Sequence, residues 1–247
     1  MLTDLLSVYK ADCKNHTELR AQINTSNRVT LLAGNMVSNT QSSVGGVSAR
    51  VYKGGTFGFA SSAEYSDESI KNVLKAATDN ADFMDKHVKK AMPPLPSVQS
   101  GNIGYKIKPG DTAPQSYLID FANELDDIIT KKYKNLTSRT VVANILDIEK
   151  LLVVTDGADT HSFQPRSTVY VFMTAETNDG VPVELYHPFS KLGRFDEIYP
   201  DTATLMPELD KLYESVMHKR EGVYSKAGLC KCVMHPELAG ILAHEAV

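Results

Sequence analysis

From Glu18 to Ser61 the periodicity shortens, with two runs that change sides at every residue, and this narrows the fold more than any other feature. Leu19, Ala21 and Ile23 alternate with Arg20, Gln22 and Asn24, and Val47, Ala49 and Val51 alternate with Ser48, Arg50 and Tyr52. A period of two places all the apolar residues on one face of a pleated strand. Between these runs lies a short apolar stretch, Val29–Ala33. Asn27, Gly34-Asn35 and Gly54-Gly55 read as turns. The expectation is an antiparallel meander with one buried face.

The period then lengthens. Ser66 is suited to cap a helix whose stripe is Ile70, Val73, Leu74, Ala77, Ala81 and Met84, and Lys86, Lys89 and Lys90 complement its C-terminal end. Residues 1–13 read as a shorter helix with Leu2, Leu5, Leu6 and Tyr9 on one side. Met92-Pro93-Pro94-Leu95-Pro96 cannot be helical and reads as a stiff linker. Beyond it, Leu118, Phe121, Ala122, Leu125, Ile128 and Ile129 mark a second helix. Residues 138–190 are strand-like again, with Asp156-Gly157 and Asn178-Asp179-Gly180 as hairpin turns. Leu205, Leu209, Leu212, Tyr213 and Val216 mark a third helix.

This order predicts an α+β fold, with mostly antiparallel sheets and helices packed against them. The predicted division is an N-terminal α+β subdomain over residues 1–92, a Pro-rich linker over 93–100, a central α+β subdomain over 101–220, and the start of a further domain over 221–247. In that last segment Ala227–Met234 reads as a strand. Pro236 suits the first position of a helix that carries Leu238, Ala239, Leu242, Ala243 and Ala246 as a stripe.

Composition excludes several classes. At 247 residues, 42% hydrophobic and 23% charged, the chain can bury an ordinary core. A net charge of −4 gives no electrostatic basis for direct nucleic-acid binding. No apolar run approaches the roughly 20 residues of a membrane span, and no basic-then-apolar start marks a signal peptide. Three cysteines, Cys13, Cys230 and Cys232, make no disulfide framework. A cytoplasmic, reduced protein is the expectation.

The candidate chemistry lies in the final helix, where His244 is followed directly by Glu245. His and Glu adjacent on a helix open the metal motif of many zinc peptidases: an imidazole ligates and a carboxylate acts as base toward metal-bound water. Read without any family, the pair is also compatible with a surface His beside a solvated Glu. Cys230, Cys232, His235 and His244 could make a structural zinc site. However, two Cys one residue apart on a strand sit about 6.5–7 Å apart, which favours two thiols on one face. Gly54–Gly58 lacks the Lys-Ser/Thr of a phosphate loop and reads as a turn. His87, His161, His187 and His218 are scattered and read as surface or core-edge residues.

Two stretches together resemble the TldD/PmbA family, historically called modulators of DNA gyrase. Gly46–Ser61, with Arg50, Gly54, Gly55 and Gly58, is similar to the family's N-terminal signature. Pro236–Val247 is similar to the opening of its metal helix, which continues to His-Glu-x-x-x-His. The resemblance implies a cytoplasmic zinc metallopeptidase, a hydrolase of unfolded peptides working as a homodimer or with a PmbA-like partner subunit. It implies His244 as the first Zn2+ ligand and Glu245 as the general base. The remaining ligands belong to the family's C-terminal region, so the expectation is that this chain is the N-terminal part of such a peptidase, binds no zinc and is inactive by itself. The alternatives are a non-catalytic peptide- or partner-binding module and a gyrase-associated regulator. The expectation for the final helix is fraying, because its apolar stripe has no domain to pack on.

Overall fold

The computed structural model describes residues 2, 5–88, 111–155, 157 and 159–246. Its strands are β1 (His16–Leu32), β2 (Asn35–Lys53), β3 (Thr56–Ser62), β4 (Ser138–Val154), β5 (Asp159–Glu176) and β6 (Pro182–Leu192). They form one antiparallel sheet in the order β3-β2-β1-β4-β5-β6. The helices are α1 (Asp67–His87), α2 (Gln115–Lys132), α3 (Phe195–Ile198), α4 (Met206–Arg220) and α5 (Pro236–Ala246). The fold is therefore α+β with antiparallel strands, as the alternation predicts. The two meanders are joined because β1 pairs with β4, from Glu18↔Val154 to Leu32↔Thr140. The Pro-rich segment 93–100 lies outside the described residues, as does Asp156 of the predicted Asp156-Gly157 turn.

Two-residue turns make the first two hairpins. Ala33 and Gly34 connect β1 to β2 with φ of 49° and 83°, and Gly54 and Gly55 connect β2 to β3 with φ of 55° and 87°. Two consecutive positive φ values match the right-handed twist of the strands they join. Asn27, read as a turn, is instead in the middle of β1, opposite Gln41 on one side and Ile145 on the other. Backbone pairing to both neighbours outweighs the local preference of a single Asn.

One face of the sheet is buried. Leu19, Ala21, Val29 and Leu31 of β1 share it with Val141, Ala143, Ile145, Leu151 and Val153 of β4. The helices supply the other half of two clusters on this face. At one end, Ile70, Val73, Ala77 and Ala81 of α1 pack with Leu19, Val47, Ala49, Val51 and Leu151. Leu2, Leu6 and Tyr9 join them from the N-terminal segment, which is a 3-10 turn over Ser7–Asp12 rather than the expected helix. At the other end, α2 and α4 bring Leu118, Phe121, Leu125, Ile129, Leu209 and Val216 onto Val29, Val141, Val169 and Val171.

Helix α1 starts where the sequence predicts: the Ser66 side chain accepts a hydrogen bond from the Ser69 backbone N–H at 3.2 Å. Gly58 explains how closely α1 lies on β3. A Cβ at that position would sit 2.1 Å from the Ala77 carbonyl oxygen and 2.2 Å from the Ala81 nitrogen. Among the described residues, no helix is long and apolar enough to cross a membrane.

Candidate functional site

Helix α5 forms with Pro236 at its start, and the Ala239 N–H reaches the His235 carbonyl at 2.9 Å. None of its residues is buried. Leu238, Ile241 and Leu242 are 54%, 59% and 48% exposed, so the predicted stripe faces solvent. The segment before it differs from expectation. Ala227–Met234, predicted as a strand, is irregular, because no described strand lies beside it to receive its hydrogen bonds.

His244 and Glu245 are both exposed and consecutive, so they project about 100° apart around the helix axis. Cys230 and Cys232 are exposed and free, with their sulfurs 3.9 Å apart. His235 Nδ1 stands 3.9 Å from Glu237 Oε2 on the surface. Among the described residues, no group of three or more His, Cys, Asp or Glu side chains is gathered closely enough to hold a metal ion. A catalytic zinc site takes three protein ligands. His244 offers one, so the described residues alone do not fit the metal.

The structure assembles another polar group that the sequence reading did not single out. Glu149 is buried on the inward face of β4, accepts the Leu2 N–H at 2.9 Å, and meets His161 Nε2 at 2.8 Å. His161, read as a surface or core-edge residue, therefore has a partner across the β4–β5 pair. Asp147, two residues earlier on the same face, is 7% exposed, and its Oδ1 is buried without a hydrogen-bond partner. Burial pushes its carboxyl up from 3.8 to about 6, because the charged form has lost its water. Both carboxylates lie in the saddle between the two hydrophobic clusters. The signal was present in the sequence. Ile145, Asp147, Glu149 and Leu151 occupy successive inward positions of one strand, so the alternation that buries the two apolar residues also buries the acids between them.

Gly46–Ser61 is a packing element. Its Arg50 makes a two-pronged contact with Glu18, with Nε and Nη2 at 3.1 and 2.8 Å from Oε2. Its glycines make the β2–β3 turn and the seat for α1. Residues 17–81 match the profile of PmbA/TldA metallopeptidase domain 1. A curated metalloprotease of Methanocaldococcus jannaschii is 24% identical over 241 residues, covering 94% of this chain and 51% of the relative. These matches support a member of the TldD/PmbA family. Solved structures share the fold of this chain. A protein from Thermotoga maritima named as a candidate modulator of DNA gyrase superposes with a TM-score of 0.64 at 16% identity, covering 91% of this chain and 49% of the other. The corresponding Bacteroides thetaiotaomicron protein gives 0.63 at 14% identity, covering 89% and 51%. TldE from Thermococcus kodakarensis gives 0.63 at 12% identity, covering 88% and 47%. The chain thus spans about half the length of the relatives it matches.

Proposed function

We propose that this chain forms the first half of a TldD-like zinc metallopeptidase acting on unfolded peptides, with His244 as one metal ligand and Glu245 as the general base. The observation that carries the reading is the His-Glu pair on α5, in a chain whose residues 17–81 match the first PmbA/TldA metallopeptidase domain. Bound zinc supplies such a site with an acidified water at neutral pH. The chain's own contribution is an imidazole and a carboxylate on one solvent-facing helix. The further ligands come from polypeptide equivalent to the relatives' other half, in a homodimer or with a PmbA-like subunit, in the cytoplasm. Alone, the chain is inactive.

The test uses an unfolded fluorogenic peptide and zinc analysis by mass spectrometry. The expected result for the chain alone is no hydrolysis and zinc far below one per chain. Co-expression with the second half of the M. jannaschii relative, or with a full-length PmbA-type partner, restores hydrolysis, and Glu245→Gln abolishes it. One zinc per isolated chain with hydrolysis would refute the incomplete-site reading. Restored hydrolysis indifferent to Glu245→Gln would remove Glu245 from the chemistry. A second reading, a peptide-binding module without catalysis, is favoured by the fully exposed α5, and predicts peptide binding without cleavage under every pairing.

A further inference from the structure

β2 is paired on both sides for only part of its length. β1 covers it throughout, whereas β3 pairs with Val47–Lys53 alone. Among the described residues, Asn35–Val44 therefore has an open outer edge, and all of these ten but Ser38 are exposed. The two hairpin turns fix which backbone groups point out. A two-residue turn makes the flanking residues a hydrogen-bonded pair. Lys53 pairs with Thr56, so odd-numbered β2 residues direct their N–H and C=O toward β3. Leu32 pairs with Asn35, and after the irregularity at Thr30/Leu31, Ser38, Thr40, Ser42 and Val44 face β1. Both turns give the same phase. Asn39, Gln41 and Ser43 thus present three N–H and three C=O groups outward, with no described strand to receive them.

Such an edge is ordinarily blunted by Lys, Pro or an inward charge. Here, no charged residue and no proline occurs between Asn35 and Ala49. Where β3 ends, a cavity of about 360 Å³ opens on the helix-free face of the sheet, lined by Arg20, Gln22, Gly46, Ser48, Ser61 and Ser62 among others. Arg20 is exposed and carries no ion pair among the described residues.

We propose that the outer edge of β2 over Asn35–Val44 takes up an extended peptide as an added strand, with a carboxylate of that peptide held by Arg20 in the adjoining cavity. Backbone pairing supplies affinity without reading sequence, and uncharged Ser, Thr, Asn and Gln neighbours reject neither sign of side chain. The free guanidinium selects a carboxylate, from an acidic side chain or a C-terminus. A second copy of this edge fits less well. The first residue of α2, Gln115, bonds Asn39 at 2.6 Å, so edge-to-edge pairing would bring two positive helix N-termini together. The choice of a peptide rests on the metallopeptidase reading. The edge and the cavity do not.

The experiment measures binding rather than hydrolysis, so it is independent of zinc and of any second polypeptide. The full chain is titrated with a labelled ten-residue Ser/Thr/Val peptide ending in a free carboxylate, followed by anisotropy and by hydrogen exchange of the amides at 35–44. Slowed exchange is expected at Asn39, Gln41 and Ser43. The C-terminal amide of the peptide, and the Arg20→Gln variant with the acid, are each expected to bind about tenfold more weakly. A peptide N-methylated at alternate nitrogens is expected not to bind. Ser43→Pro removes one outward donor while leaving the β1 pairing intact, and is expected to abolish protection with unchanged circular dichroism. Absence of protection with every peptide would overturn the proposal. So would protection that rises with protein concentration and without peptide, which would assign the edge to a second copy. Binding of acid and amide with equal affinity would overturn the role of Arg20.

Discussion

Asp147 offers the sharpest test of the folded structure, because its cost is electrostatic and therefore switchable. Its carboxyl is pushed up to about 6 by burial, against an ordinary value of 3.8. The gap is about 2 pH units, and at 1.36 kcal/mol per unit the charged form costs about 3 kcal/mol as an upper bound. The sign follows from proton binding. Between about pH 4 and 6 the folded state holds this proton more tightly than the unfolded chain. Stability from this residue is therefore undiminished below pH 4, falls as pH rises to 6, and is lowest above 6. Asp147→Asn keeps the shape and removes the titration. The assay is guanidinium unfolding at 25 °C for both proteins from pH 4 to 8, taken as the difference between them. Subtraction cancels the titrations that the two proteins share. The difference in favour of the Asn variant is expected to grow by about 2–3 kcal/mol from pH 4 to pH 7. A constant offset would report only the hydrogen-bonding difference between acid and amide. A difference curve flat with pH would refute the claim that this carboxylate is buried without a partner.

Three further outcomes follow from packing. Gly58→Ala places a methyl within 2.2 Å of two α1 backbone atoms, and its expected loss of about 3 kcal/mol is measured by urea unfolding. Ser66→Ala removes the α1 cap and costs about 1 kcal/mol in the same assay. Deleting residues 222–247 removes an exposed segment whose helix buries nothing, so unfolding free energy stays within about 0.5 kcal/mol of the full chain.

The fold was legible where periodicity alone decides. The alternation at Leu19–Asn24 and Val47–Tyr52 located two strands, and Ser66 located the start of α1. Local preference misled where a neighbouring strand decides instead. Asn27 is a good turn residue in isolation, but β2 and β4 hold it extended from both sides. Ala227–Met234 has strand composition without a described partner, and strand propensity stabilises nothing until a ladder exists. At the candidate site, His244 and Glu245 stood out by their adjacency on a predicted helix, family resemblance supplied their roles, and geometry adds only that both are solvent-facing. The Asp147–Glu149–His161 group was readable from register, but acids spaced two apart suggest an exposed face until their apolar neighbours fix which face is inward.

The β1–β4 pair has a consequence for how this molecule comes apart. Both strands run through both hydrophobic clusters, contributing Leu19 and Leu151 to one and Val29 and Val141 to the other. Neither cluster can shed its strands without stripping the other, so the expected denaturation is a single cooperative step. Assembly is correspondingly delayed. Leu32 meets Thr140 only after more than a hundred residues of intervening chain close into a loop, and folding waits on that closure.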